Sequence, residues 1–514
     1  MTESAAADVL EPTEQTEQTA GSLINGLPDE ILGEIFLQTM HLFLEYACQE
    51  SRTCSHWIFI TSVCRRWHDV AVRFPALWSY LILPCDKACL ALLLEWARDA
   101  PLHVVYTSHY IGLDTLQLVL KEHLHHIQTL SLDVSRVEYE RSVRDELTRP
   151  AIHLRILEIE MRTGATLSPE CDNIVPWKSL SSMATLRVLD VENRTFSSEG
   201  ITMAALLGVL AGVPLLRRLQ LHKFVVVLVG QLSTTSLKNL EECDLHSTPA
   251  ACSALLQHII TPEDMRIWVE YHSLGDADHP LVLASIATKP SSVSSRLLSF
   301  AIFLSCRQRR NERGRRRRVE YVTLSGCKPL VGPERVLRMD DYDTCALSLF
   351  LEFVSRPPPL KDLLRSLSLH LVQHLQVSLD DIHKASFDLS ALSDKMPNLT
   401  MVTCTQWQIS LVLDSICNLH VAMSGGGLAW PALTTLVLQE VSFSSRPHSH
   451  YDVKCVMLLR AGLLRRQTGG CATLDHLFIR MSTIEGSDLR ILEGCCREII
   501  CERNKSPVPE ADTN

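Results

Sequence analysis

An apolar triplet with the spacing L-x-x-L-x-L, where L stands for any apolar residue, recurs from about residue 85 onward and limits the fold more than any other feature. It appears as Ile127/Leu130/Leu132, Leu154/Leu157/Ile159, Leu186/Leu189/Val191, Leu216/Leu219/Leu221 and Leu240/Cys243/Leu245. It continues as Leu297/Phe300/Ile302, Val319/Val322/Leu324, Leu364/Leu367/Leu369, Leu399/Val402/Cys404, Leu433/Leu436/Leu438 and Leu474/Leu477/Ile479. Triplets begin at residues 127, 154, 186, 216 and 240, so early repeats are 24 to 32 residues long. Each triplet reads as a short strand with alternate residues facing inward. One such strand cannot bury its apolar face alone, whereas stacked repeats share a continuous core, so the expected class is α/β with a curved parallel sheet.

The segments between triplets support this reading. Residues 198–211 and 251–260 have helical character, and several triplets follow a Pro-containing turn: Val213-Pro214-Leu215, Met396-Pro397-Asn398 and Trp430-Pro431-Ala432. Proline presets the backbone for the second position of such a turn. With 46% hydrophobic residues the chain can fill a large core.

The N-terminal region has a different pattern. Residues 1–22 are acidic and polar, without Lys or Arg, and read as a disordered tail. Pro28, Asp29 and Glu30 suit the first turn of a helix, where proline loses no hydrogen bond and carboxylates meet the positive end of the dipole. Leu27, Ile31, Leu32, Ile35 and Phe36 form one apolar stripe, and a polar stretch follows around residues 48–55. Trp57, Ile60, Val63, Trp67, Val70 and Phe74 predict a second helix, stopped by Pro75; Ala76-Leu77-Trp78 predicts a turn and Tyr80–Leu83 a strand. The expected organisation is a tail over 1–22, a helical module over 23–84, repeats over 85–501 and a second polar tail over 502–514.

Residues 27–78 resemble an F-box. The sub-motifs Leu27-Pro28-Asp29-Glu30-Ile31-Leu32, Ile35-Phe36, Val63-Cys64-Arg65-Arg66-Trp67 and Pro75-Ala76-Leu77-Trp78 occur in the family's order, with an inter-helix segment about a dozen residues longer than in a compact F-box. The remainder resembles divergent leucine-rich repeats, of which Cys327 after Val319/Val322/Leu324 is one good match. The implied fold is a small all-helical F-box followed by an irregular leucine-rich-repeat-like solenoid. The implied partner is the Skp-type adaptor of a cullin–RING ubiquitin ligase. By position, Leu27, Pro28, Ile31, Leu32, Ile35, Val63, Cys64 and Trp67 would form or support the docking surface, while some of them, notably Trp67, also build the internal core.

Other features point elsewhere or nowhere. Eight arginines lie among residues 307–318. Like charges repel, so the run is expected to be a solvated loop. A nuclear localisation signal at Arg315, Arg316, Arg317 and Arg318 and an anion-binding segment are the other readings. A net charge of −10 argues against nucleic acid. The polar N-terminus lacks a secretory pattern and no apolar run approaches the roughly 18 residues of a span. The 18 cysteines are therefore expected to be reduced thiols in the cytoplasm or nucleus. The histidines at 123, 125, 126, 448 and 450 and the pair Cys495-Cys496 lack zinc-ligand spacing, so neither metal nor other cofactor is expected. Gly425–Gly427 reads as a turn, and no phosphate loop or nucleophile elbow occurs.

The expected role is thus non-catalytic: a ligase subunit that holds an unknown protein substrate near the ubiquitin-transferring enzymes. A non-degradative F-box scaffold, and a repeat protein whose N-terminal helices only cap the array, remain open alternatives.

Overall fold

The structure, a computed structural model, describes residues 26–50, 56–83, 85–107, 113–135, 138–162, 180, 183–193, 201–224, 226–228, 232–262, 265–272, 279–287, 297, 299–310, 316–327, 347–353, 364–379, 392, 395–405, 430–440, 455–468, 471, 473–482, 484 and 486–502. The acidic tail, the residues after 502, the 425–427 turn, His448 and His450 lie outside them. The molecule is mixed α/β with a large, mainly parallel sheet. It divides into two compact units, Met1–Ile156 and Leu157–Asn514, so residue 84 lies inside the first.

The first unit opens with α1 (Asp29–Glu50), a 3-10 segment (His56–Ser62), α2 (Arg65–Val72) and the single turn α3 (Pro75–Trp78). Then follow β1 (Tyr80–Leu83), α4 (Lys87–Ala97), β2 (Leu102–Thr107), α5 (Leu113–His123) and β3 (Ile127–Ser135). Helix α1 runs on to Glu50, into the first of the polar residues 48–55 expected to interrupt it; residues 51–55 lie outside the described residues. The second expected helix is instead two pieces. The hydroxyls of Thr61 and Ser62 bond the carbonyls of Ile58 and Phe59 at 2.8 Å, which suits a tight turn, and Cys64 is extended before α2 begins. Pro75 does not stop α2, which ends at Val72, but starts α3. Leu32, Phe36, Met40, Leu77 and Trp78 fill the core of the helical module. Indole Nε1 of Trp78 donates to the Ala71 carbonyl at 2.6 Å, and its ring meets Trp96 edge-on at 4.4 Å. β1 pairs β2 and β2 pairs β3, both in parallel.

In the second unit come β4 (Ile156–Arg162, starting at the boundary), β5 (Val188–Asn193), β6 (Ile201–Thr202), α6 (Met203–Gly212), β7 (Arg218–His222), β8 (Val226–Val227), β9 (Thr235–Ser236), β10 (Glu242–Ser247), α7 (Pro249–His258), β11 (Ile259–Ile260), β12 (Arg266–His272) and α8 (His279–Ala287). The chain continues through β13 (Ser299–Arg310), β14 (Arg316–Cys327), β15 (Leu347–Phe353), β16 (His374–Leu379), β17 (Met401–Thr405), β18 (Thr435–Gln439), α9 (Cys455–Thr468), β19 (Leu474–Arg480), α10 (Gly486–Leu492) and β20 (Cys496–Glu502). The sheet order is β4-β5-β7-β10-β12-β15-β14-β13-β16-β17-β18-β19-β20.

Several triplets form the expected strands of this unit. The last two apolar positions of Leu216/Leu219/Leu221 lie in β7, and all three side chains are buried; Leu240/Cys243/Leu245 and Leu433/Leu436/Leu438 behave alike. Ahead of several triplets the first residue's amide closes a turn: Leu216 on Val213 at 3.1 Å, Leu399 on Met396 at 3.3 Å and Leu433 on Trp430 at 3.1 Å. Helices α6 and α7 are capped by the Thr202 and Thr248 hydroxyls, and Pro249 takes the first helical position.

Three expectations need correction. Leu364/Leu367/Leu369 is buried but is not a strand. The strand falls eight residues later, where Val372/Leu375/Val377 repeats the spacing after its own turn on Leu369. Val319/Val322/Leu324 lies in β14, which runs antiparallel to both β13 and β15, so the sheet is not wholly parallel and the spatial order reverses there. The arginine run is not one loop. Arg307–Arg310 end β13 and Arg316–Arg318 begin β14, with Arg309 opposite Arg317 and Arg310 opposite Arg316. Extending the ladder satisfies backbone groups that a loop would leave to water. Arg315 lies outside the described residues.

Candidate docking surface and the polar sheet face

The periodicity of α1 separates its two sides. Leu32 is 1% exposed and packs inward with Phe36 and Met40, whereas Ile31 is 49% exposed and Ile35 44%. Two further apolar side chains stand out before α2, Phe59 at 66% and Val63 at 60%. Pro28 and Cys64 are exposed, and Leu27 and Trp67 are half-buried. Trp67 meets Phe36 with ring centroids 5.0 Å apart.

Arg66 joins the two helix starts. Its Nη2 donates to Asp29 Oδ1 at 2.8 Å and to the Leu27 carbonyl, and its Nε reaches Asp29 Oδ1 at 3.1 Å. Pro28, Ile31, Val63 and Cys64 lie within about a helical turn of this clamp along the chain. Of the eight residues expected at the docking surface, five are exposed, two are half-buried and Leu32 belongs to the core. Phe59 was not among the residues expected there; it lies in the 3-10 segment, between the predicted stripe residues Trp57 and Ile60.

In the second unit, the sheet face opposite the buried triplets carries rows of polar residues. Arg218, Glu242 and Arg266 are in register across β7, β10 and β12, and Glu242 pairs with both arginines. Asp190, Gln220, Asp244 and Trp268 form the next row, and Glu192, His222, His246 and Glu270 the third. His222 Nε2 lies 3.1 Å from Asp244 Oδ2, and His246 Nε2 lies 3.2 Å from Asp244 Oδ1. The imidazoles stack with centroids 4.0 Å apart, and His246 Nδ1 is 3.3 Å from Glu270 Oε2. Lys223 Nζ pairs with Glu192 at 3.1 Å. Partial burial pushes the Asp190 carboxyl up to about 6. Burial alone would lower His222; the Asp244 hydrogen bond and surrounding carboxylates outweigh it and raise its pKa. The same two histidines hold Asp244 below the usual carboxylate range against its own burial.

Sequence reasoning missed this cluster, although the repeat period contained the signal. His222 and His246 each follow the last residue of a triplet, 24 positions apart, and one full repeat places them opposite each other.

No protein-family model matches the chain, and no curated protein matches its sequence. Among the described residues no helix is long and apolar enough to cross a membrane.

Proposed function

We propose that the chain is the substrate-recognition subunit of an SCF-type ubiquitin ligase. In this reading the N-terminal helices are an F-box that docks on the Skp-type adaptor, and the second unit is a divergent leucine-rich-repeat array that binds a protein substrate. The supporting observation is the exposure of Ile31, Ile35 and Val63 at motif positions while Leu32 and Phe36 on the same helix are buried. Half-exposed aliphatic side chains retain roughly 1 kcal/mol apiece of hydrophobic stabilisation that only a partner can recover. A few such anchors ringed by neutral contacts are enough for a stable helical interface. The chain itself would supply proximity and orientation rather than bond-making groups.

The test is co-purification of the full chain with the Skp-type adaptor, beside Ile31→Glu/Val63→Glu. Both side chains are largely in solvent, so the variant should keep its helical circular dichroism and lose adaptor binding by at least about 100-fold. Folded wild-type protein that fails to retain the adaptor would sink the proposal.

A further inference from the structure

We infer that His222, Asp244 and His246 form a binding site for a divalent transition-metal ion of the zinc type, on the polar face of the second unit and independent of the docking proposal. The three side chains lie on adjacent parallel strands, with His222 opposite His246 and Asp244 two residues before His246 on the same face. Their donor atoms all lie within 4.8 Å of one another. A tetrahedral zinc shell with bonds of about 2.0–2.1 Å has donor-to-donor edges of roughly 3.4 Å. The Asp244 carboxylate faces both ring nitrogens at about that spacing, with Oδ2 3.1 Å from His222 Nε2 and Oδ1 3.2 Å from His246 Nε2.

The surroundings suit a cation. Asp190, Glu192, Asp244 and Glu270 supply four carboxylates on three strands, β5, β10 and β12, and Lys223 offsets one of them at Glu192. Glu270 Oε2 lies 3.3 Å from His246 Nδ1, where it would accept that nitrogen's hydrogen bond and leave Nε2 as the ligating atom. Three protein ligands leave a coordination position open for water or for a side chain of a bound protein. Imidazole and carboxylate donors favour zinc, iron(II) or nickel over copper(I), which prefers thiolates.

The test is titration of the purified full chain with Co(II) and then Zn(II) at neutral pH, with chelator competition and visible absorption as readouts. One Co(II) per chain should bind with d–d bands but no thiolate charge-transfer band, and Zn(II) should displace it. Asp244→Asn and His246→Gln should each weaken binding at least tenfold, and Glu270→Gln, which removes no ligand, about tenfold. Circular dichroism identifies any misfolded variant, and the conservative Glu270→Gln then carries the comparison. Absence of saturable binding, a thiolate band that reports cysteine ligands, or wild-type affinity in all three variants would overturn the site.

Discussion

His374 has no solvent-exposed surface, and its Nε2 sits 2.8 Å from the Thr403 hydroxyl. Burial disfavours the imidazolium and lowers its pKa from 6.5 to about 4. Because the unfolded chain takes up the proton first, this residue's stabilisation is fully present above pH 6.5 and is lost as pH falls toward about 4. The linkage is on the order of 3 kcal/mol. Urea midpoints measured between pH 7 and 4.5 should therefore fall less steeply for His374→Asn than for wild type. A second residue-scale contrast lies on α1. Phe36→Ala should lower stability by about 3–5 kcal/mol, because it empties a buried site against Trp67. Ile35→Ala, on the exposed side, should change urea stability by no more than about 0.5 kcal/mol.

At the scale of elements, two glycines mark close approaches. Gly33 interrupts the apolar pattern of α1 with a poor helix former, and the reason is Phe74, since a Cβ at Gly33 would stand 2.8 Å from the ring's Cδ2. Alanine would gain about 1 kcal/mol of helix propensity. Overpacking against a ring held beside Pro75 outweighs it, so Gly33→Ala should lower the thermal midpoint by the equivalent of about 1–2 kcal/mol. Gly326 near the end of β14 has the same relation to buried Leu297, whose Cδ1 an added Cβ would meet. Helix starts are less demanding. Thr202→Ala, which removes the hydroxyl accepting from the Ala205 amide at 3.2 Å, should destabilise by about 1 kcal/mol in chemical denaturation.

At the scale of the whole molecule, the two compact units carry separate surfaces, an apolar one at the helix starts and a charged one on the sheet. Their functions should separate by mutation. Ile31→Glu/Val63→Glu should abolish adaptor retention while leaving the Co(II) titration unchanged, and Asp244→Asn should do the reverse. Loss of both in either variant would show that the substitutions act through global folding. The rows of Arg218, Glu242 and Arg266 and of Glu192, His222, His246 and Glu270 give the sheet face mixed charge. That pattern suits selective protein recognition more than a uniform polyanion.

The apolar triplets by themselves determined the repeated strand, the turn before it and the buried alternation. Each rests on local spacing and on the need to remove one strand face from water. The start of α1 was equally legible, from Pro28, Asp29 and the apolar stripe. Tertiary structure decided what depends on partners distant in sequence. Between Leu364/Leu367/Leu369 and Val372/Leu375/Val377, which share one spacing, the strand went to the set aligned with Ser299–Leu304 of β13 and Met401–Thr405 of β17. The arginine-rich segment became two hairpin arms because β13 and β14 pair through Arg310 and Arg316, a backbone gain that charge patterning does not register. The continuous helix expected from Trp57 to Phe74 split into a 3-10 segment and α2. His222 and His246, one repeat apart along the chain, became neighbours only when the parallel register of β7 and β10 placed them on one face.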